Sequence, residues 1–510
     1  MRILIASLTL LLCSPAVLSA LPQPVSTLDG LLSGEAIENN ITVFRGIPFA
    51  APPVGQNRWR PPQPVASWAG VRQASTFAPR CVQGGFTPGA DQPLTSEDCL
   101  YLNVWTPADE PGVNLPVFVW LHGGAFASGS GSDARYDGAK LAAKGAVVVT
   151  LNYRLGSFGF FAHPQLTAES EAGSSGNYAM LDIIRALEWV YDNIASFGGD
   201  PINVTLAGES AGANAVANML ASPLSAGLIH RAIMQSGGWM GLGISAQLTL
   251  AEHEAAGVAQ AQAFGARSLG DLRAASAQEI LENFPANGQI NVDGWFLPRD
   301  ASLTYAENAH QPVDVLVGSN SDEANFLAFG PGPQTLAELQ AWARDKYGAL
   351  AGRFFGLYPA SNDQEANAAY KQAFNDEMAW VMRNLALRQG QRGLGAYVYH
   401  FTRVPPGQEA TGAAHVAELP YMFNQSEQNP RWTDTDRTLA DTMSSYWLRF
   451  AASTNPNTAG LPAWPAYRSD EVGNVIILGN EVTPETMQVP SPQALQFFSD
   501  VFDQLVQNLE

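Results

Sequence analysis

Two stretches, "PVFVWLHGG" (116–124) and "GAVVVTLNYRLG" (145–156), run through Val, Leu and aromatics with no alternation of polar positions. A strand with one face in water alternates. Strands as uniformly apolar as these are buried on both faces, the mark of a parallel sheet covered by helices. The rest of the chain supplies the covering layers. "MLDIIRALEWVYDNIASFGGD" (180–200) carries apolar residues at helical spacing until Gly198 and Gly199 stop it. "HRAIMQSGG" (230–238), "PVDVLVGSN" (312–320) and "AYVYHFTR" (396–403) read as further strands, and helical segments predominate over 251–308 and 336–391. Strand–helix alternation of this kind predicts an α/β fold. Its large, mostly parallel central sheet is flanked by helices, with helical insertions on one core.

The composition suits a deep core: 46% of the residues are hydrophobic and only 15% charged, below the usual quarter. A formal charge of −20 makes the chain a polyanion, which argues against nucleic acid as a partner. Arg2 precedes an apolar run from Ile3 to Leu12, and small residues follow at Ser19 and Ala20. That layout predicts a signal peptide over 1–20 and a single domain over 21–510. No later apolar run reaches membrane-spanning length, so no stable membrane anchor is expected. The predicted location is secreted, extracellular or periplasmic. Cys81 and Cys99 remain after the signal, and an oxidising compartment favours their pairing over two free thiols.

"NVTLAGESAGANAV" (203–216) places Ser210 where a strand-type run gives way to a small-residue helix, with Gly208 and Gly212 on either side. The G-x-S-x-G pentapeptide is weak evidence by itself; set between strand and helix it reads as a nucleophile elbow. The alternative is a turn serine capping a helix. A serine nucleophile needs a base, and the base an orienting carboxylate. Beyond Ser210 the candidate bases are His230, His253, His310, His400 and His415. His400 sits inside a strand, whereas His415 follows a Gly-containing loop in "TGAAHVAELPYMF". "VDVLVGSNSDEANF" sets both Asp322 and Glu323 at the carboxyl end of a strand, where such sheets bind ligands, and spacing leaves the two open. "WLHGGAFASGSG" (120–131) supplies a glycine-rich loop after a strong strand, similar to oxyanion-binding loops of the HGGG type.

Ordered blocks along nearly the whole mature chain resemble the type-B carboxylesterase/lipase family, which includes cholinesterases and fungal lipases. They are "VFRGIPFAAPPVGQNRWRPPQP" (43–64), "SEDCLYLNVWTP" (96–107), "NYRLGSFGF" (152–160), "AGESAGA" (207–213), "GSNSDEANF" (318–326) and the His415 segment. The resemblance implies an α/β-hydrolase fold and a serine carboxylesterase acting through an acyl-enzyme. It implies Ser210 as nucleophile, Glu323 as acid and His415 as base. It implies backbone N–H groups of Gly124, Ala125 and Ala211 as oxyanion donors, Ala125 standing where the motif has its third glycine. Glu209 and Ser236 resemble groups that hold the histidine or a water. No metal or organic cofactor is implied, and the expected partner is a small-molecule ester. A monomer or weak oligomer is expected.

The family arches the segment between its paired cysteines over the active-site gorge. Here that segment has no tryptophan and Phe86 is its one aromatic. A grip on quaternary ammonium through a ring face is therefore not expected. The segment is short for a lipase lid, which predicts a preference for short-chain or soluble esters. Trp239 and Met240 are candidates for the acyl pocket, and Phe126, Phe326 and Phe329 for the gorge lining. Alternatives are a feruloyl or aromatic polyester esterase or lipase and, in another class, a non-catalytic adhesion or binding protein of the same fold.

Overall fold

The computed structural model describes residues 20–84, 94–468, 474–486 and 490–510. The predicted signal segment, apart from Ala20, and Phe86 lie outside them.

An 11-stranded sheet organises the described residues. Its strands in chain order are β1 (Glu35–Ala36), β2 (Thr42–Pro48), β3 (Tyr101–Thr106), β4 (Leu115–Leu121), β5 (Val147–Leu151), β6 (Gly199–Glu209), β7 (Arg231–Gln235), β8 (Asp314–Asn320), β9 (Ala396–Phe401), β10 (Asn474–Leu478) and β11 (Val482–Thr486). In space they run β11-β10-β9-β8-β7-β6-β4-β5-β3-β2-β1. From β5 across to β10 every neighbouring pair is parallel. Antiparallel pairs form both margins. Each run read as a strand from its apolar density is one. The antiparallel margins were not anticipated, since short half-buried strands carry little signal of their own.

The two-residue pleat sends alternate side chains to opposite cores. On β4, Val117, Val119 and Leu121 face one cluster while Phe118 and Trp120 face the other. All five are fully buried. The first core lies under helices α1 (Tyr178–Asn193), α2 (Ala211–Ala221) and α3 (Asp363–Gln391), and the second under α4 (Asp434–Ser453). Each large side chain buried in this way contributes roughly 1.5–3 kcal/mol. This explains why β4 and β5 tolerate no polar alternation. The helix α1 stops at Asn193, earlier than the glycine pair suggested. A 3-10 turn (Ile194–Phe197) follows, and Gly198 takes the left-handed conformation at φ 81° before β6 begins.

Cys81 and Cys99 form a disulfide with their Cα atoms 4.9 Å apart. It closes a separation of 18 residues, worth about 3 kcal/mol in the loop-entropy picture. The Cys81→Ser, Cys99→Ser double variant should therefore unfold at lower urea than the oxidised protein. An unchanged midpoint would assign the bridge no role in stability. Among the described residues, no helix is long and apolar enough to cross a membrane.

Candidate active site

The strand β6 is the middle strand of the 11-stranded sheet and hands the chain to α2 across one residue. Ser210 has φ 57° and ψ −122°, a sparsely populated backbone conformation for a residue with a side chain, costing about 1–3 kcal/mol. Its N–H donates to Gln235 O at 2.9 Å and its carbonyl accepts from Asn214 N at 2.9 Å, so neighbours on both sides hold the strained turn. The flanking glycines are required by contact. A Cβ on Gly212 would lie 2.2 Å from Leu121 O, and one on Gly208 would lie 2.5 Å from Gly212 C. Strand and helix thus cross too closely for any side chain there, which raises Ser210 at the end of the sheet.

Opposite the serine, β8 ends in a turn carrying Asp322 and Glu323. Glu323 is fully buried. Its Oε1 accepts from Asn320 N at 2.8 Å and its Oε2 lies 2.6 Å from His415 Nδ1. Asp322 does something else. Its Oδ2 accepts from Ala413 N at 3.0 Å, and its own N–H donates to Ala413 O at 3.1 Å. It pins the loop that carries His415. Geometry therefore resolves the pair that spacing left open, with Glu323 on the imidazole and Asp322 on the backbone.

The Nε2 face of His415 meets a second carboxylate. Glu209 Oε1 lies 3.0 Å away, within ion-pair reach although off the alignment of a hydrogen bond. No hydrogen bond joins His415 to Ser210 in this conformation. Burial by itself would lower the basicity of His415, but the charges of Glu209 and Glu323 outweigh it and hold the pKa well above the ordinary imidazole value. A third carboxylate, Glu418, escaped the sequence reading. It accepts from Asn320 Nδ2 at 2.6 Å and Gln235 Nε2 at 2.9 Å. Burial, reinforced by the charge of Glu209, pushes its pKa up to about 7. Its position three residues after His415, inside an apolar segment, was the available signal.

Ser210, His415 and Glu209 open onto a cavity of about 870 Å³. Gly124, Ala125 and Ala211 line it too. The N–H groups of Gly124 and Ala125 donate to nothing among the described residues, and that of Ala211 is the first of α2, free of an intrahelical partner. Gly124 (φ 109°) and Ala125 (φ 55°) take positive backbone angles in the loop that presents them. Trp239, Met240, Phe126, Phe326 and Phe329 all line the cavity as expected, with the rings of Phe326 and Phe329 centred 5.4 and 4.8 Å from the imidazole. Ser236 is buried, and among the described residues its hydroxyl makes no hydrogen bond. Its N–H donates to Gly318 O, which ties the start of the loop after β7 to β8. His400 is a buried residue of β9, with desolvation lowering its pKa to about 4.

A serine on a strained strand-to-helix turn, sharing a cavity with a His–Glu pair and free backbone donors, defines an α/β-hydrolase of the serine esterase type. The carboxylesterase family model matches residues 22–498, and the chain belongs to that family. It is 38% identical to fumonisin B1 esterase of Sphingopyxis macrogoltabida, over 88% of this chain and 85% of that protein. It is 36% identical to para-nitrobenzyl esterase of Bacillus subtilis, over 91% and 96%. The human cocaine esterase is 33% identical over 95% and 91%. A solved thermophilic PNB esterase superposes with a TM-score of 0.82 at 34% identity, covering 93% of this chain and 99% of its own. The protein is a carboxylic ester hydrolase.

Proposed function

We propose that Ser210 is the nucleophile, His415 its general base and acid, and Glu323 the carboxylate that orients the imidazole. The N–H groups of Gly124, Ala125 and Ala211 then receive the oxyanion. The observation that carries this reading is the 2.6 Å His415–Glu323 pair facing the same cavity as the strained Ser210. The imidazole turns from Glu209 towards Ser210, whose Oγ bonds to the ester carbonyl carbon as its proton passes to Nε2. The tetrahedral oxyanion collapses, the alcohol leaves with that proton, and water repeats the sequence to free the acid. Each oxyanion donor is worth roughly 2.7–4 kcal/mol of barrier.

Glu209 sets the pH at which this base is ready. The imidazole must be neutral to accept a proton, and the two carboxylates keep it protonated to higher pH. Glu209→Gln removes one of them, so the acid limb of the kcat/KM profile should move to lower pH. A limb that stays in place or moves up would show that Glu209 does not govern the base.

The preferred substrates are short-chain, soluble esters, and the protein is exported. Support for export comes from the layout of residues 1–20 and the Cys81–Cys99 bond, which suits an oxidising compartment. Relatives are named for fumonisin B1, para-nitrobenzyl and cocaine esters, so family membership singles out no ester. A panel of p-nitrophenyl acyl esters, run beside feruloyl, choline and emulsified triglyceride substrates, tests the preference. The rate should peak at short acyl chains with no jump when the triglyceride forms an emulsion; a jump would make the protein a lipase.

A further inference from the structure

Two side-chain amides, Gln83 and Asn152, stand between the bridged cysteines and the loop that presents Gly124 and Ala125. Gln83 pairs with both backbone groups of Gly129. Its Oε1 accepts from Gly129 N at 2.9 Å and its Nε2 donates to Gly129 O at 2.9 Å. The same Nε2 donates to Cys81 O at 3.0 Å. Asn152, a buried residue, works in the same way just beyond. Its Oδ1 accepts from Gly131 N at 2.9 Å and from Ser130 Oγ at 3.1 Å, and its Nδ2 donates to Cys99 O at 3.1 Å. Each amide therefore joins the loop to the carbonyl of one bridged cysteine.

Gly129 is where this clamp meets the oxyanion donors. A Cβ there would lie 2.2 Å from His122 Nδ1 and 2.7 Å from Gly123 O, so its backbone packs against the peptide joining Gly123 to Gly124. In a planar trans peptide the carbonyl and the N–H point in opposite directions. Whatever fixes Gly123 O therefore aims the Gly124 N–H. That oxygen is held by His122 Nδ1 at 2.8 Å, with Gly129 against both. The next peptide is held similarly. Gly124 O accepts from Ala127 N at 2.9 Å and Ser128 N at 3.1 Å, which aims the Ala125 N–H. Gly124 and Ala125 are themselves exposed, so their orientation comes from the residues packed behind them.

We infer that Gln83 is a positioning residue for the oxyanion hole, and that the Cys81–Cys99 bridge bears on catalysis through it. This rests on the Ser210 reading and adds a dependence of rate to the stability the bridge confers.

The test uses the full-length enzyme, p-nitrophenyl butyrate and a short alkyl trifluoromethyl ketone. Ser210 Oγ adds to the ketone carbonyl carbon as its proton passes to His415 Nε2, leaving an oxyanion where that of the ester would form. Gln83→Met keeps the side-chain length and removes the amide. It should lower kcat roughly 10- to 100-fold, as a donor misplaced by up to ~1 Å would. Acylation and deacylation both pass through an oxyanion, so KM should hold within about threefold. The ketone Ki should rise by the factor that kcat falls. A misfolded fraction would lower kcat and leave Ki unmoved, so the two readouts together separate positioning from folding. The Cys81→Ser, Cys99→Ser variant, assayed without urea, should show the same joint change, and adding Gln83→Met to it should cost little more. For Gln83→Met, kcat and Ki both within about twofold of the wild type, or a fall in kcat alone, would overturn the proposal. So would a cysteine variant with unchanged kcat, or losses that multiply when the variants are combined. A ketone that fails to inhibit the wild type would instead defeat the Ser210 reading beneath it.

Discussion

Replacing Ser210 by alanine should lower kcat by about six orders of magnitude and abolish labelling by a fluorophosphonate, with little loss of stability. The first two effects follow if its oxygen is the one that becomes acylated. The third follows from how the serine is held. Its anchoring bonds are backbone ones, to Gln235 and Asn214, and its hydroxyl makes no hydrogen bond among the described residues. Alanine has a Cβ like serine and bears the same cost at φ 57°. Urea unfolding should therefore nearly superimpose for the two proteins. Retention of more than a few per cent of wild-type kcat, or labelling elsewhere in the cavity, would remove Ser210 from the mechanism and revive a binding-protein reading.

Glu323→Gln should cost about four orders of magnitude in kcat, the loss seen when an orienting carboxylate becomes an amide. The arrangement around His415 gives a specific reason. With Glu323 ionised, Nδ1 keeps its proton at 2.6 Å from Oε2, and Nε2 can accept the serine proton. An amide presents either a donor or a weaker acceptor there. Glu209 Oε1, 3.0 Å from Nε2, then draws the proton to the wrong nitrogen. Steady-state kinetics on a short p-nitrophenyl ester would check this. A loss within tenfold would mean that Glu209 alone suffices to orient and charge the ring.

Much of the fold was legible because its signals are local. The apolar density of β4 and β5 reports burial on both faces, since nothing but helices on each side can cover such strands. The sharpness of the turn at Ser210 was readable from Gly208 and Gly212, which stand where the backbones of β4, β6 and α2 touch. Other features depend on approach between residues far apart in the chain. Glu418 is buried beside Gln235 and Asn320, partners well over a hundred and nearly a hundred residues earlier. Arg80 reaches the gorge from the cysteine segment and Arg135 from the oxyanion loop. Neither arginine has a spacing that announces it.

Local chemistry along the chain determined which residues can bend sharply, which strands must be covered, and where a nucleophilic hydroxyl could be raised. These are properties of a few consecutive backbones and need no distant partner. Only the tertiary structure decided between Asp322 and Glu323. Their neighbouring side chains leave the backbone in different directions, one to Ala413 and the other to His415. It also decided the electrical character of the gorge, because Coulomb energy depends on separation and local dielectric, and folding alone sets both.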